Sequence, residues 1–282
     1  MNPYSRSVFS ASVLLLAGLS SLECFAQVNP WEFETYPYAT APQGMAEFET
    51  SNAVITEGHT EVGKGTSKGL FASQKLWYSS YEITYGLTDR IEAALYLNLG
   101  QPNGGSMHLA GSNLRVRGRL FDQDTFPVNV GWYAELEWHK TPQFDDAIQE
   151  LELRPIIEKD FGALSVMLNP KFEKVLAGPG RHQGAEFGYA AALHYRYSRR
   201  LSPGVEFYGG TGLINHSNSL RDQQHYVFAT LWGELPMRLE YNVGVGWGLT
   251  PGSDRIIFKL NLELERFVGA IFKMPSERSW FF

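Results

Sequence analysis

Past residue 27 the sequence has no run approaching the roughly 18 consecutive apolar residues that a membrane-crossing helix needs. It has a single cysteine, Cys24, so no internal disulfide can form. Charge is sparse, at 19% of residues, and its balance is a formal -6. Without a basic excess the chain lacks the electrostatic footprint of a nucleic-acid-binding protein, and no nucleic-acid partner is expected. The glycine clusters Gly104-Gly105-Ser106 and Gly178-Pro179-Gly180 do not open a helix after a parallel strand, which excludes a phosphate cradle. The histidines at 59, 108, 139, 182, 194 and 225 show no metal-ligand spacing, so neither a metal nor a cofactor is expected.

What is present begins with an export signal. Arg6 supplies a basic flank, residues 13–19 an apolar run, and Cys24, Phe25 and Ala26 a small-x-small site before Gln27. The run is too short to span a bilayer as a helix. Glu23 stands where a lipoprotein signal requires a small residue, which disfavours lipidation of Cys24. Residues 1–26 are therefore read as a cleaved signal peptide, and cleavage removes the cysteine. An exported chain without a membrane helix is either soluble or a β-barrel, and periodicity decides between them.

Residues 237–249 alternate cleanly. Met237, Leu239, Tyr241, Val243, Val245, Trp247 and Leu249 fall on one face; Arg238, Glu240, Asn242, Gly244, Gly246 and Gly248 fall on the other. Residues 255–265 and 185–197 repeat the pattern. It extends, more loosely, to 45–56, 76–87, 90–99, 111–121, 126–139, 148–159, 163–173, 203–214 and 224–235. That makes about twelve strands of roughly ten residues, longer than the five or six usual in globular sheets. The links between them alternate in length. Tight turns at 88–89, 122–125, 160–162 and 234–236 are interleaved with longer polar loops at 57–72, 101–110, 174–183 and 215–223. Short turns on one side and long loops on the other mark an outer-membrane barrel with its short side in the periplasm. The expected fold is all-β, a transmembrane antiparallel up-and-down barrel over residues 44–267. A periplasmic segment at 27–43 precedes it, and a tail at 268–282 follows, whose position the residues do not fix.

Energetics assigns the faces. Arg115, Arg117 and Arg119 share one side of their strand, and each would cost about 2 to 4 kcal/mol near the bilayer midplane. They must point into the lumen. The same reasoning places Arg90, Glu92, Glu135, Glu137, Glu150, Glu152, Arg154, Glu186, His194, Arg196, Arg238, Glu240, Lys259 and Glu263 inside. Basic and acidic rows on neighbouring strands are expected to pair. Trp77, Tyr85, Trp138, Tyr195, Tyr197, Trp232 and Trp247 lie near strand ends and read as two interfacial girdles.

The phrase Tyr85-Gly86-Leu87-Thr88-Asp89-Arg90-Ile91, with the paired ending from Trp247 to Glu265, resembles the family of outer-membrane proteins named for the meta-pathway of phenol degradation. The resemblance implies a transporter-like barrel linked by name to aromatic compounds. This chain departs from barrels that stop at the last strand, because residues 268–282 continue beyond it and end in Trp280-Phe281-Phe282.

Two readings of the charged lumen stay open: a pore lining that selects small solutes, and a salt-bridged plug. A third makes the chain a non-conducting structural or surface-binding barrel that displays its long loops, and a fourth places a lipid acyl hydrolase at His216 with a nearby serine, Ser217 or Ser219. Adjacent strand residues point to opposite faces, however, so only a loop could join them. The leading expectation is a non-enzymatic passive channel for small solutes. Its expected partners are outer-membrane lipid, the barrel assembly machinery and the solute itself.

Overall fold

The computed structural model describes residues 28–31, 33–66 and 68–265. The signal peptide (1–26) and the tail (268–282) lie outside the described residues. Thirteen strands follow in order: β1 Ala46–Glu57, β2 Trp77–Thr88, β3 Ile91–Gln101, β4 His108–Arg119, β5 Asn129–His139, β6 Gln149–Phe161, β7 Leu164–Ala177, β8 Glu186–Tyr195, β9 Ser202–Leu213, β10 His216–Ser217, β11 Gln224–Leu235, β12 Leu239–Gly248 and β13 Ile256–Leu264. β10 pairs only with the end of β9. The other twelve form an antiparallel wall, and β1 joins β13, Phe48 opposite Leu264, to close the cylinder. Closure leaves no wall strand with an unpaired edge, the condition for placing a sheet in hydrocarbon.

The two faces divide by chemistry. Ile83, Leu95 and Phe258 point outward and are 55%, 64% and 47% exposed. So much bare apolar surface suits lipid and not water. On the other face of the same strands Glu82, Glu92 and Lys259 are buried.

Turns at one end are short and chemically specified. In the β2–β3 turn the Thr88 hydroxyl accepts hydrogen bonds from the backbone amides of Arg90 (3.2 Å) and Ile91 (3.0 Å). Between β11 and β12 a single 3-10 turn, Pro236–Arg238, holds Met237 and Arg238 at φ of 69° and 58°. The opposite end, extracellular in barrels of this kind, carries the long loops.

One expectation is overturned here. The stretch 27–43 is expected in the periplasm; its described residues, from Val28 on, instead run down the inside of the barrel. Trp31, Phe33, Thr35, Tyr36 and Tyr38 are all buried. Ala41 adjoins the short-turn end, and Val28 lies among the extracellular loops.

Candidate functional site in the barrel lumen

An extended segment inside a closed barrel has no strand edge to pair with, yet its backbone groups must be satisfied. Wall side chains satisfy them. The amide of Val28 donates to Gln224 Oε1 (3.1 Å), that of Tyr36 to Asn169 Oδ1 (2.7 Å), that of Tyr38 to Glu158 Oε2 (2.7 Å) and that of Ala41 to Glu92 Oε2 (2.6 Å). Asn169 Nδ2 also donates to the Tyr36 carbonyl (3.1 Å), and Lys259 Nζ to that of Phe33 (2.8 Å). Each contact joins residues far apart in sequence.

The lumen is layered along its axis. Nearest the long loops, Trp31 donates through Nε1 to the Leu99 carbonyl (2.8 Å) and stands edge-on to Tyr78, 4.7 Å between centroids. Phe33 packs among Tyr208, Tyr226 and Phe228 at 5.0 to 5.7 Å. Below this aromatic layer lies an ionic one. Arg115 donates to Glu82 (2.5 Å) and Glu92 (2.9 Å), and Arg117 donates to Glu92 (2.8 Å). Arg154 pairs with Glu152 (2.5 Å). The guanidinium groups of Arg115, Arg117 and Arg154 all face the Tyr36 ring, at 5.0, 5.1 and 4.8 Å from its centroid. Desolvated cation–π contacts of this kind are each worth up to about 2 kcal/mol.

At the short-turn rim the segment leaves the lumen against Gly86. A Cβ at that position would stand 2.0 Å from the Pro42 carbonyl oxygen, so the glycine of the Tyr-Gly-Leu-Thr-Asp-Arg phrase provides room for the segment's exit. With the segment in place the space left beside it, bordered by Glu34, Arg154, Lys171 and Tyr189 among others, has room for about one water molecule.

Two loops cap the opposite mouth. Asp254 accepts hydrogen bonds from the amides of Thr66 (2.7 Å) and His59 (3.3 Å) and from the Ser73 hydroxyl. Burial pushes its carboxyl above the usual aspartate range, while the Ser73 and Thr66 donors pull it back. Gly65, at φ +65°, passes so close that a Cβ would meet Asp254 Oδ1 at 2.1 Å. Residues 58–76 are thereby pinned to the β12–β13 loop. Farther along, Phe71 donates its amide to the Gln143 carbonyl (2.9 Å), docking the same stretch on the β5–β6 loop.

Most residues assigned to the lumen lie within it. Glu92, Arg115, Arg117, Glu135, Glu137, Glu150, Glu152, Arg154, His194 and Lys259 are buried, and Arg119, Glu186, Glu240 and Glu263 are half-buried. Three are not lumen residues. Arg90 sits on the exposed β2–β3 turn with Asp122 (2.7 Å). Arg196 follows β8 at the rim, 2.9 Å from Asp160. Arg238 occupies the β11–β12 turn and reaches Glu265 (3.3 Å). A charge beside a turn can reach headgroup water without entering the pore.

Trp232 is a correction in the other direction. It leaves the girdle and points inward, donating through Nε1 to Glu206 (2.6 Å) and packing on His194 at 4.1 Å between centroids. Trp77, Trp138 and Trp247 at the long-loop end, and Tyr85, Tyr195 and Tyr197 at the other, are exposed outside the wall.

The expected alternation of basic and acidic rows is only partly observed. Glu92 does oppose Arg117, but Glu135 opposes Glu152, Glu137 opposes Glu150, and Glu152 opposes Glu173. Arg115 stands opposite Glu135 yet turns away from it to Glu82 and Glu92. His216 and the serines are not assembled into a catalytic pair. His216 is exposed, and the Ser219 hydroxyl donates to Asp222 (2.5 Å). Sequence reasoning missed Tyr36, Asn169, Glu206 and Asp254. Only Glu206 carried a signal, as a charge on the inward face of β9.

No protein-family model matches the chain, and no curated protein matches its sequence. Solved structures do match. An outer-membrane channel from Pseudomonas putida F1 superposes with a TM-score of 0.56 at 13% identity, over 83% of this chain and 99% of the other. The fold is that of an outer-membrane β-barrel. A second such barrel, the KdgM porin, superposes with a TM-score of 0.50 at 8% identity, over 77% of this chain and 98% of its own.

Proposed function

We propose that this outer-membrane barrel is a passive channel for small solutes, held closed by residues 28–43 and opened when they withdraw. The observation that carries the reading is how the segment is held. Among the described residues no backbone–backbone hydrogen bond ties 28–43 to a wall strand, so the segment can leave without breaking the sheet. The lumen it would vacate is polar, and water can replace the lost hydrogen bonds.

The wall also suggests what passes. On the strands the buried glutamates Glu82, Glu92, Glu135, Glu137, Glu150, Glu152, Glu158, Glu173, Glu206 and Glu234 outnumber the buried bases Arg115, Arg117, Arg154, Lys171 and Lys259. A net acidic ring favours cations over anions. The aromatic layer above it offers ring surfaces to uncharged aromatic compounds, in keeping with a place in the meta-pathway family to which the Tyr85–Ile91 phrase points. Likeness in fold to a channel and a porin agrees with this reading. The hydrolase alternative gains nothing from a His216 that has no serine partner among the described residues, and the protein is read as non-enzymatic.

Planar bilayers test the proposal. Full-length protein should show low, intermittent conductance, while a variant lacking residues 28–41 should conduct steadily and prefer cations. A correctly folded deletion variant that carries no current would sink the channel reading.

A further inference from the structure

The register of β5 and β6 sets two like charges face to face near the extracellular mouth. Glu137 and Glu150 are direct cross-strand partners, an arrangement that repels. His139 follows two residues after Glu137 and so shares its inward face. Its Nε2 lies 3.1 Å from Glu150 Oε2 and 4.0 Å from Glu137 Oε2. One ligand atom from each of the three lies within 4.8 Å of the others. Their side chains are 5%, 8% and 9% exposed for Glu137, His139 and Glu150.

Glu137 is the member that hydrogen bonding leaves unexplained. Among the described residues no donor serves its carboxylate, and its nearest cationic group, His139, already engages Glu150. A carboxylate with 5% of its side chain exposed and no donor is costly, and one of its oxygens lies within 4.8 Å of a ligand atom on each of the other two.

We propose that Glu137, His139 and Glu150 bind a divalent transition-metal ion of the zinc type. The ion would replace the proton that His139 shares with Glu150, remove the repulsion across the strand pair and complete the Glu137 carboxylate. An imidazole with carboxylates is a zinc-like donor set; magnesium and calcium favour oxygen donors alone. Asp145 Oδ2 faces the other ring nitrogen, Nδ1, at 3.9 Å, the position from which a carboxylate orients a metal-bound imidazole. Glu137 also lies within reach of Glu152 and Glu173, but Lys171 already neutralises those two at 2.9 and 3.0 Å. In the histidine-containing set Lys68 Nζ lies 3.5 Å from Glu150 Oε2, so Glu150 already has a cationic partner, and Glu137 is the carboxylate that accepts no hydrogen bond among the described residues.

The test is titration of the purified full chain in detergent with Zn²⁺ against a competing indicator, followed by Co²⁺ and its visible absorption. One tight site is expected, with a Co²⁺ spectrum of low coordination number that carries a nitrogen ligand. Glu137→Gln should weaken binding at least about tenfold while the barrel stays folded, since this glutamate accepts no hydrogen bond from the described residues. His139→Gln should do the same, and His216→Ala should not. Equal Zn²⁺ affinity in the wild type and Glu137→Gln would overturn the proposal. So would Ca²⁺ binding as tightly as Zn²⁺, because the imidazole would then have no role. Loss of heat-modifiable migration by Glu137→Gln would pass the decision to His139→Gln and the Co²⁺ spectrum.

Discussion

At the scale of single residues the lumen turns on Tyr36. Its ring is shared by three guanidinium groups, and its amide and carbonyl are both held by Asn169. A phenyl ring preserves the first set of contacts; a methyl group does not. Tyr36→Ala should therefore raise the open fraction in single-channel recordings about tenfold or more, equivalent to the loss of one or two cation–π contacts. Tyr36→Phe should change it little. Equal behaviour of the two variants would show that the ring does not hold the segment. Legibility at this scale follows from environment. Arg115 and Lys259 could be assigned to the interior because hydrocarbon makes the alternative prohibitive. Arg90 and Arg196 could not be separated from them, because alternation gives a side and says nothing of depth. Tyr36 left no trace at all, since its partners Tyr96 and Asn169 stand 60 and 133 residues away.

Elements were the most legible level. All twelve wall strands were visible because a strand with lipid on one face and ions on the other must alternate throughout. Trp232 shows where that reading fails. Its strand alternates correctly, with Leu231 outside and Thr230 inside, yet an aromatic near a strand end was taken for a lipid anchor when it serves Glu206. Quenching by brominated lipid separates the two roles. Single-tryptophan variants retaining Trp77, Trp138 or Trp247 should be strongly quenched, and those retaining Trp232 or Trp31 should not. Strong quenching of Trp232 would contradict its inward orientation.

The loop clasp at Asp254 also belongs to this level. Its acid is raised by burial above its ordinary value, so the closed loop is favoured at low pH and loses that contribution as pH rises through the raised value. Hydrogen-exchange protection of residues 58–76, corrected for intrinsic rate, should fall as pH rises above the ordinary aspartate value of about 4. Asp254→Asn, which cannot titrate, should flatten the dependence. An unchanged slope in that variant would remove Asp254 from the account.

For the whole molecule, barrel and occupant were unequally visible. The wall is periodic, and periodicity survives in sequence. Residues 28–43 have none, because they are held one contact at a time by side chains from β3, β6, β7, β11 and β13. Nothing in Trp31, Phe33 or Tyr36 alone distinguishes a segment inside a pore from one beside it. The like-charged neighbours Glu137 and Glu150 were equally hidden, since pairing between strands depends on a register that the sequence constrains only through its turns.

The occupant is continuous with β1, one of the two strands that meet at the closing seam. A cylinder zipped shut along β1 and β13 encircles whatever lies on its axis. The leading stretch must therefore be laid against the growing wall before the last two strands join, or be drawn through a finished ring from the periplasmic side. A folded domain fused ahead of Val28 would pass by the first route and jam the second, so the order of assembly is recorded in which fusions reach the cell surface.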